Sequence, residues 1–439
     1  MIDINEFIEG ITDELIENRR MLHTIPEVGF TEYVTTWHIV NQLNNTAFTV
    51  YYGRDALDSD SRYAVPDQET LESAEQEAAK AGVPVEMLDH MSGGHTGCVA
   101  KLDTGRPGPH IALRFDIDAL PIIETDSDDH IPVKHGFCSQ NHGAMHACGH
   151  DGHTSIGLAV AAFINRFKTQ LTGTYTLLFQ PAEEGGKGAK AMVEKGWLEG
   201  VDFFLSGHLG IMEAPAGTVA ATTERFLASS KLDVHFKGKS AHSGLEPNAG
   251  NNALLAAATA ALHLHAIPRH KDGATRVNVG TMKAGSGRNA IADTAHIALE
   301  TRGETTVLDD YMQTEAKRIL KASGDLHGVE THINMMGRAL NGKCDPVWKT
   351  IIPEALKETS VVTDVWEHGE LGASEDVTYM MEAVQQQGGK ATFMLFPSPL
   401  PAGHHHPAFD FEEHAMTTAV AAFVSMIAYL NEFGSHLIE

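Results

Sequence analysis

The first twenty residues, MIDINEFIEGITDELIENRR, space apolar side chains at i, i+3 and i+4 with acidic residues through the first turns, a pattern that predicts an amphipathic surface helix. From about residue 94 the rhythm changes. CVAKL, HIALRFDI, TYTLLFQ and VDFFLSGH are short apolar runs of strand character, separated by glycine-rich or acidic turns and helical patterns such as KGAKAMVEKG. Strands alternating with helices predict an α/β sheet, in which sites gather in the turns beyond the strand C-termini. Residues 217–332 then follow a β-α-β-β-α order. Their elements are TVAATTERFLASSKLDVHFKG, NNALLAAATAALHLHAI, TRVNVGTMKAG, TAHIALETRG and a helix over about 306–323. A small sheet with helices on one face is expected there as an inserted domain, leaving 1–216 and 333–439 as one discontinuous larger domain.

Residues 54–91 interrupt the rhythm with a polar, acidic, Ala-rich segment, in which a helix is expected after Asp67 and before Gly82 and Pro84. A surface embellishment is the expectation, with a partner-binding or substrate-entrance element as the alternative. The 439-residue length agrees with two domains. A formal charge of −26 disfavours nucleic acid and anionic membrane as partners and requires a local basic group to capture any anionic substrate. The N-terminus lacks the basic start and apolar core of a signal peptide, and no run approaches the roughly 18 uninterrupted apolar residues of a membrane span, so the cytoplasm is expected. The four cysteines, at 98, 138, 148 and 344, show no framework spacing and leave thiolates available to metal.

The strongest chemical signal is MHACGHDGH at 145–153, which packs His146, Cys148, His150, Asp151 and His153 in front of a helix. Thiolate, imidazole and carboxylate in one turn are the donor set of a transition metal. Cys148 and His150, two apart, can converge on one centre; His146 and Asp151 are expected to supply supporting hydrogen bonds, and His153 to begin the helix. In QPAEEGG at 180–186, adjacent Glu183 and Glu184 repel one another unless a cation is near, and one can bind it while the other faces substrate. VDFFLSG delivers His208 to the same sheet edge, and GHHHPAFDF at 403–411 supplies His404, His405 and His406 before a stiffening proline. In RFDIDALP, Asp116 and Asp118 share one face of a strand and are expected to orient a ligand imidazole, with direct ligation as the alternative.

With RRMLHTIPEVGFTE at 19–32, QPAEEGGKGAKAMVEKG and KGKSAHSGLEPNAGNNAL at 237–254, these motifs run almost end to end. In this order they resemble the co-catalytic metallopeptidase and amidohydrolase family that includes aminoacylases, hippurate hydrolases, plant auxin-conjugate hydrolases and glutamate carboxypeptidases. The resemblance implies a mixed-sheet α/β catalytic domain with an inserted α+β, ferredoxin-like lid and dimerisation domain. It also implies two divalent metals, manganese or zinc, held by Cys148, His150, Glu184, His208 and His405, with Glu183 as general base. His405 is selected because the family's ligand lies four residues before the aromatic of the Phe-Asp pair, here Phe409. His242 in SAHSG matches a lid histidine that contacts the scissile carbonyl in the partner subunit's active site. Asn278, Arg288 and Asn289 are candidates to grip a substrate carboxylate, Arg288 foremost for its guanidinium fork.

The acidic insertion, RVNVGTMKAGSGRNAIADTA at 276–295 and AGHHHPAFDF narrow the resemblance to a branch that hydrolyses the amide joining p-aminobenzoate to glutamate. That branch implies a homodimer through the lid or a hetero-oligomer with a related second subunit. A related hydrolase of another N-acyl or N-aryl amino acid is the enzymatic alternative. A noncatalytic binding module is the other, though such a module needs no proton shuttle.

Overall fold

The computed structural model describes residues 2–438. The chain divides into two compact units, Met1–Glu224 with Gly342–Leu371 and Asp376–Glu439, and Arg225–Asn341 with Gly372–Glu375.

The larger unit is built on an eight-stranded mixed sheet. Its order is Thr49–Tyr52, Cys98–Asp103, Thr174–Gln180, His110–Asp116, Phe203–Leu209, Lys390–Phe396, Thr218–Ala220 and Asp364–Trp366. The four central strands, 174–180, 110–116, 203–209 and 390–396, run parallel. They are buried along almost their whole length, which is why they read as apolar runs rather than as alternating ones. Being parallel, they end on one edge, so the turns after Asp116, Gln180, Leu209 and Phe396 leave from the same side.

Helix His150–Phe167 starts at that edge and packs against Ile4–Thr24 and His414–Phe433. Asp3 caps the first of these, its carboxylate accepting the Glu6 N–H at 3.0 Å. His414–Phe433 is long and apolar enough to cross a membrane by length and composition, and 72% of its most apolar window is buried inside the fold. Within 54–91 the helices are Gln68–Lys80, capped by Asp67, and Val85–Met91. The segment is tied to the chain beyond the Glu183 turn, since Asp58 N–H donates to Ala191 O at 2.9 Å and Tyr63 N–H to Lys187 O at 3.3 Å.

The smaller unit is a four-stranded antiparallel sheet, ordered Glu330–Ala339, Ala228–Lys237, Thr294–Gly303 and Thr275–Ala284, with helices Ala253–His265 and Thr306–His327. Leu232, Val234, Phe236, Ile297 and Leu299 alternate inward to form its core with Ala256, Ala260, Met312 and Leu320 from the helices. The α/β class with an additional antiparallel α+β unit is therefore present. Its bounds differ from the expected 217–332. Thr218–Ala220 pairs in parallel with Asp364–Trp366 in the large sheet, and the fourth strand of the small sheet carries that unit to Asn341.

Candidate metal centre

The turns leaving the large sheet's shared edge bring the metal-type donors together. Gly149, at φ +87°, lets the chain swing from Cys148 into the helix that begins at His150. The two side chains thus approach one point from outside and inside the helix. His208 stands near the end of its strand, with Nε2 3.5 Å from Cys148 Sγ. Glu184 follows the 174–180 strand and faces His405 Nε2 at 3.3 Å through Oε1. Three overlapping sets have their donor atoms within 4.8 Å of one another: Cys148, His150 and His208; Cys148, Glu184 and His405; His150, Glu183 and Glu184.

Hydrogen bonds fix which face of each ring looks inward. His208 Nδ1–H donates to Leu209 O at 2.7 Å and turns Nε2 toward Cys148. His150 Nδ1–H donates to Asp118 Oδ1 at 3.2 Å, and its buried Nε2 has no hydrogen-bond partner among the described residues. A ring tied at Nδ1 with Nε2 left over is the arrangement of a metal-binding imidazole. His153 differs. Its Nδ1–H donates to Asp116 at 2.5 Å and its Nε2 accepts the Leu209 N–H at 2.9 Å, so both nitrogens are already used.

The electrostatics agree with the geometry. Burial opposes protonation of His150, yet Asp116, Asp118 and Glu184 outweigh it and raise the imidazole to about 10. The pocket therefore calls for positive charge. Burial, reinforced by His153 and His404, instead holds His208 well below its usual range, in the neutral form a ligand needs. Burial works against ionised Glu184, but His405 and His150 keep it below the usual carboxylate range. His150 Nε2, left over by the ring's tie to Asp118, and Glu184 Oε1, facing His405, with thiol and neutral imidazole beside them, fit a divalent cation centre.

Eight of the residues expected from the sequence meet here: Cys148, His150, Glu183, Glu184, His208, His405, Asp116 and Asp118. Asp118 accepts from the His150 ring through Oδ1 and from the Glu184 N–H through Oδ2 at 3.0 Å. Asp116 is held by Arg114 at 2.7 Å and orients His153. His404 enters the cluster more deeply than the sequence suggests, with Nδ1 3.4 Å from Cys148 Sγ and its ring against His208 and Phe409. His405 adopts φ +62°, and His406 is exposed, its Nδ1 accepting the Ala408 N–H.

His242, Asn278, Arg288 and Asn289 belong to the smaller unit, where all four are exposed. His242 Nδ1 accepts the Gly244 and Leu245 N–H groups at 3.1 Å, and Ser243 N–H donates to Asn289 O.

Sequence reasoning missed a buried charge network behind the centre. Arg19 bonds Asp151 at 2.9 Å and Asp410 at 2.6 Å, and His23 bridges Asp151 and Glu124 at 2.8 and 3.0 Å. One arginine thus joins the residue after His150 to the turn after His405. The signal was present in RRMLH, whose Arg19 and His23 share a helix face with buried Leu15 and Leu22.

The model of Peptidase family M20/M25/M40 matches residues 112–429. The chain is 43% identical to indole-3-acetyl-aspartic acid hydrolase of Enterobacter agglomerans, over 95% of this chain and 96% of that one. It is 41% identical to one of the subunits of p-aminobenzoyl-glutamate hydrolase of Escherichia coli (strain K12), over 96% of each. The crystal structure of the aminobenzoyl-glutamate utilization protein from Klebsiella pneumoniae matches it with a TM-score of 0.84 at 36% identity, covering 98% of both chains.

Proposed function

The chain belongs to peptidase family M20/M25/M40, and from that premise we propose that this metal-dependent amidohydrolase cleaves p-aminobenzoyl-glutamate to p-aminobenzoate and glutamate. One observation carries the reading. The converging Cys148, His150, Glu184, His208 and His405 donors, with Glu183 beside them, lie in a chain similar almost end to end to two hydrolases named for an aromatic acyl group on an acidic amino acid.

We assign those five residues to two divalent cations, manganese or zinc, since a mixed sulfur, nitrogen and oxygen set accepts either. When bound, the cations supply Lewis acidity that polarises the amide carbonyl and makes water more acidic. Glu183, only 7% exposed, takes a proton from the attacking water and delivers it to the glutamate nitrogen as the C–N bond breaks. The water oxygen leaves in the p-aminobenzoate carboxylate. His242 is assigned to the carbonyl oxygen, and Arg288 with Asn278 and Asn289 to the substrate carboxylates. A protein of charge −26 needs such local donors to hold an anion. The small unit is assigned as lid and dimerisation domain, and the further partner is a related second subunit.

Indole-3-acetyl-aspartate is the second reading, favoured by the 43% identity to its named hydrolase. The test is incubation of the purified chain, metal-stripped and then restored with manganese or zinc, with each amide separately. Metal-dependent release of p-aminobenzoate is expected. A higher kcat/KM for indole-3-acetate release would move the substrate to the second reading. Release of neither by the metal-loaded chain would refute a self-sufficient hydrolase of these amides.

A further inference from the structure

RRMLHTIPEVGFTE is among the most recognisable segments of the chain, yet it supplies no metal ligand and no base. Its last residue, Glu32, is fully buried. Glu32 Oε1 accepts the Ala182 N–H at 2.8 Å, and Oε2 accepts the Thr96 hydroxyl at 2.5 Å. Ala182 immediately precedes Glu183.

Ala182 is itself unusual, a fully buried non-glycine residue at φ +52°. L-residues avoid this conformation, and it persists where surrounding structure enforces it, typically beside functional groups. Two parts of the 19–32 segment bear on it, one by holding and one by yielding space. Glu32 binds the Ala182 N–H, and Gly29 leaves room for the Ala182 side chain, since a Cβ on Gly29 would meet Ala182 Cβ at 2.9 Å. The rest of the turn is pinned by other carboxylates. Asp118 accepts the Glu184 N–H at 3.0 Å, and Asp376 accepts the Gly188 and Ala189 N–H groups at 3.2 and 3.0 Å. Glu183 therefore sits between two anchored neighbours, and Glu32 holds the upstream one by its amide.

We propose that Glu32 is a positioning residue for Glu183: through the Ala182 amide, with Gly29 leaving room for the Ala182 side chain, it locks the left-handed elbow that aims the Glu183 carboxylate. The proposal rests on Glu183 being the general base. Its action is on geometry, so its loss lowers turnover at an intact, metal-loaded centre. A general base displaced by about 1 Å costs on the order of a hundredfold in rate.

The test compares Glu32→Ala, Glu32→Gln, Thr96→Val and Glu183→Gln with the parent. It reads kcat and KM for p-aminobenzoyl-glutamate, bound metal per chain by elemental analysis, and thermal midpoint. Glu32→Ala is expected to lower kcat about a hundredfold, with KM little changed and metal content at the parent's level. Glu32→Gln can still accept from Ala182 through its amide oxygen while donating to the Thr96 oxygen, and should retain kcat within about threefold. Thr96→Val removes the second tie without removing a charge. It should lower kcat about tenfold in a folded protein, keeping the proposal testable if Glu32→Ala does not fold. Parent-like kcat in Glu32→Ala or, failing that variant, in Thr96→Val overturns the proposal, as does a Gln variant as impaired as Ala. Turnover surviving in Glu183→Gln would instead overturn the base assignment on which the proposal rests.

Discussion

Asp118 is the most informative single residue to perturb, because one carboxylate orients two expected ligands at once. Its Oδ1 accepts from the His150 ring at 3.2 Å and its Oδ2 from the Glu184 backbone at 3.0 Å, with Asp118 and His150 both buried. Hydrogen bonds to a charged group contribute about 1.5–3 kcal/mol each, and removing an outer partner of a metal ligand typically costs about 10- to 100-fold in affinity or activity. Asp118→Ala loses both bonds and should weaken metal binding about a hundredfold, or about 2.7 kcal/mol. Asp118→Asn keeps one acceptor oxygen, which can serve either donor but not both, so its loss should be about tenfold. Both variants remove the same negative charge. The difference between them therefore reads orientation alone. The assay is titration of metal-stripped protein in chelator-buffered manganese or zinc, with bound metal determined by elemental analysis and folding checked by thermal midpoint. Equal losses in the two variants would make charge the whole effect and refute the orienting role; affinity unchanged in Asp118→Ala would refute both.

The histidine run yields a second prediction: His405→Ala should lose about one of two bound metals. His404→Ala should retain both with weaker affinity, and the reverse pattern in elemental analysis would transfer the ligand role to His404. A third concerns pH and lies far from the centre. Burial lowers His38, on helix Tyr33–Leu43, to about 4. The unfolded chain therefore takes up this proton first as pH falls. The stability is present above about pH 6.5 and lost progressively toward pH 4, by at most about 3 kcal/mol. Urea midpoints from pH 7 to 4 should fall less steeply in His38→Gln than in the parent, and parallel curves would refute the assignment.

The fold was legible where burial writes a simple pattern. Parallel strands covered on both faces, such as HIALRFD and TYTLLFQ, read as mainly apolar runs whose buried charges, Arg114 and Asp116, pair with one another, and Asp67 before QETLESAEQEAAK is a helix start stated in chemistry. The boundary near 217 was not legible, because Thr218–Ala220, a strand of 3 residues, is too short to show a period that would set it apart from the Ala228–Lys237 strand that follows. Which sheet a strand joins is decided by partners distant in the chain. Here Asp364–Trp366 lies some 145 residues on. Periodicity carries no information about such pairing.

The same division runs through the site. Cys148 and His150 were readable from spacing because a single turn brings them together, whereas three consecutive histidines in an irregular turn present one pattern with three solutions. Positive φ at His405 sends its side chain toward Glu184 while His404 turns to Cys148, and no side-chain periodicity predicts that split. Arg19 and His23 were better signposted. On helix Ile4–Thr24 they fall on the face of Leu15 and Leu22, where an unpaired charge would cost several kcal/mol. A basic pair on an apolar stripe therefore demands buried carboxylates from elsewhere in the chain, and Asp151, Asp410 and Glu124 answer it. That two of these acids flank the ligand-bearing turns gives the helix a physical reason to carry those charges. An apolar substitute could fill the same space, but it would leave Asp151 and Asp410 buried without their cation.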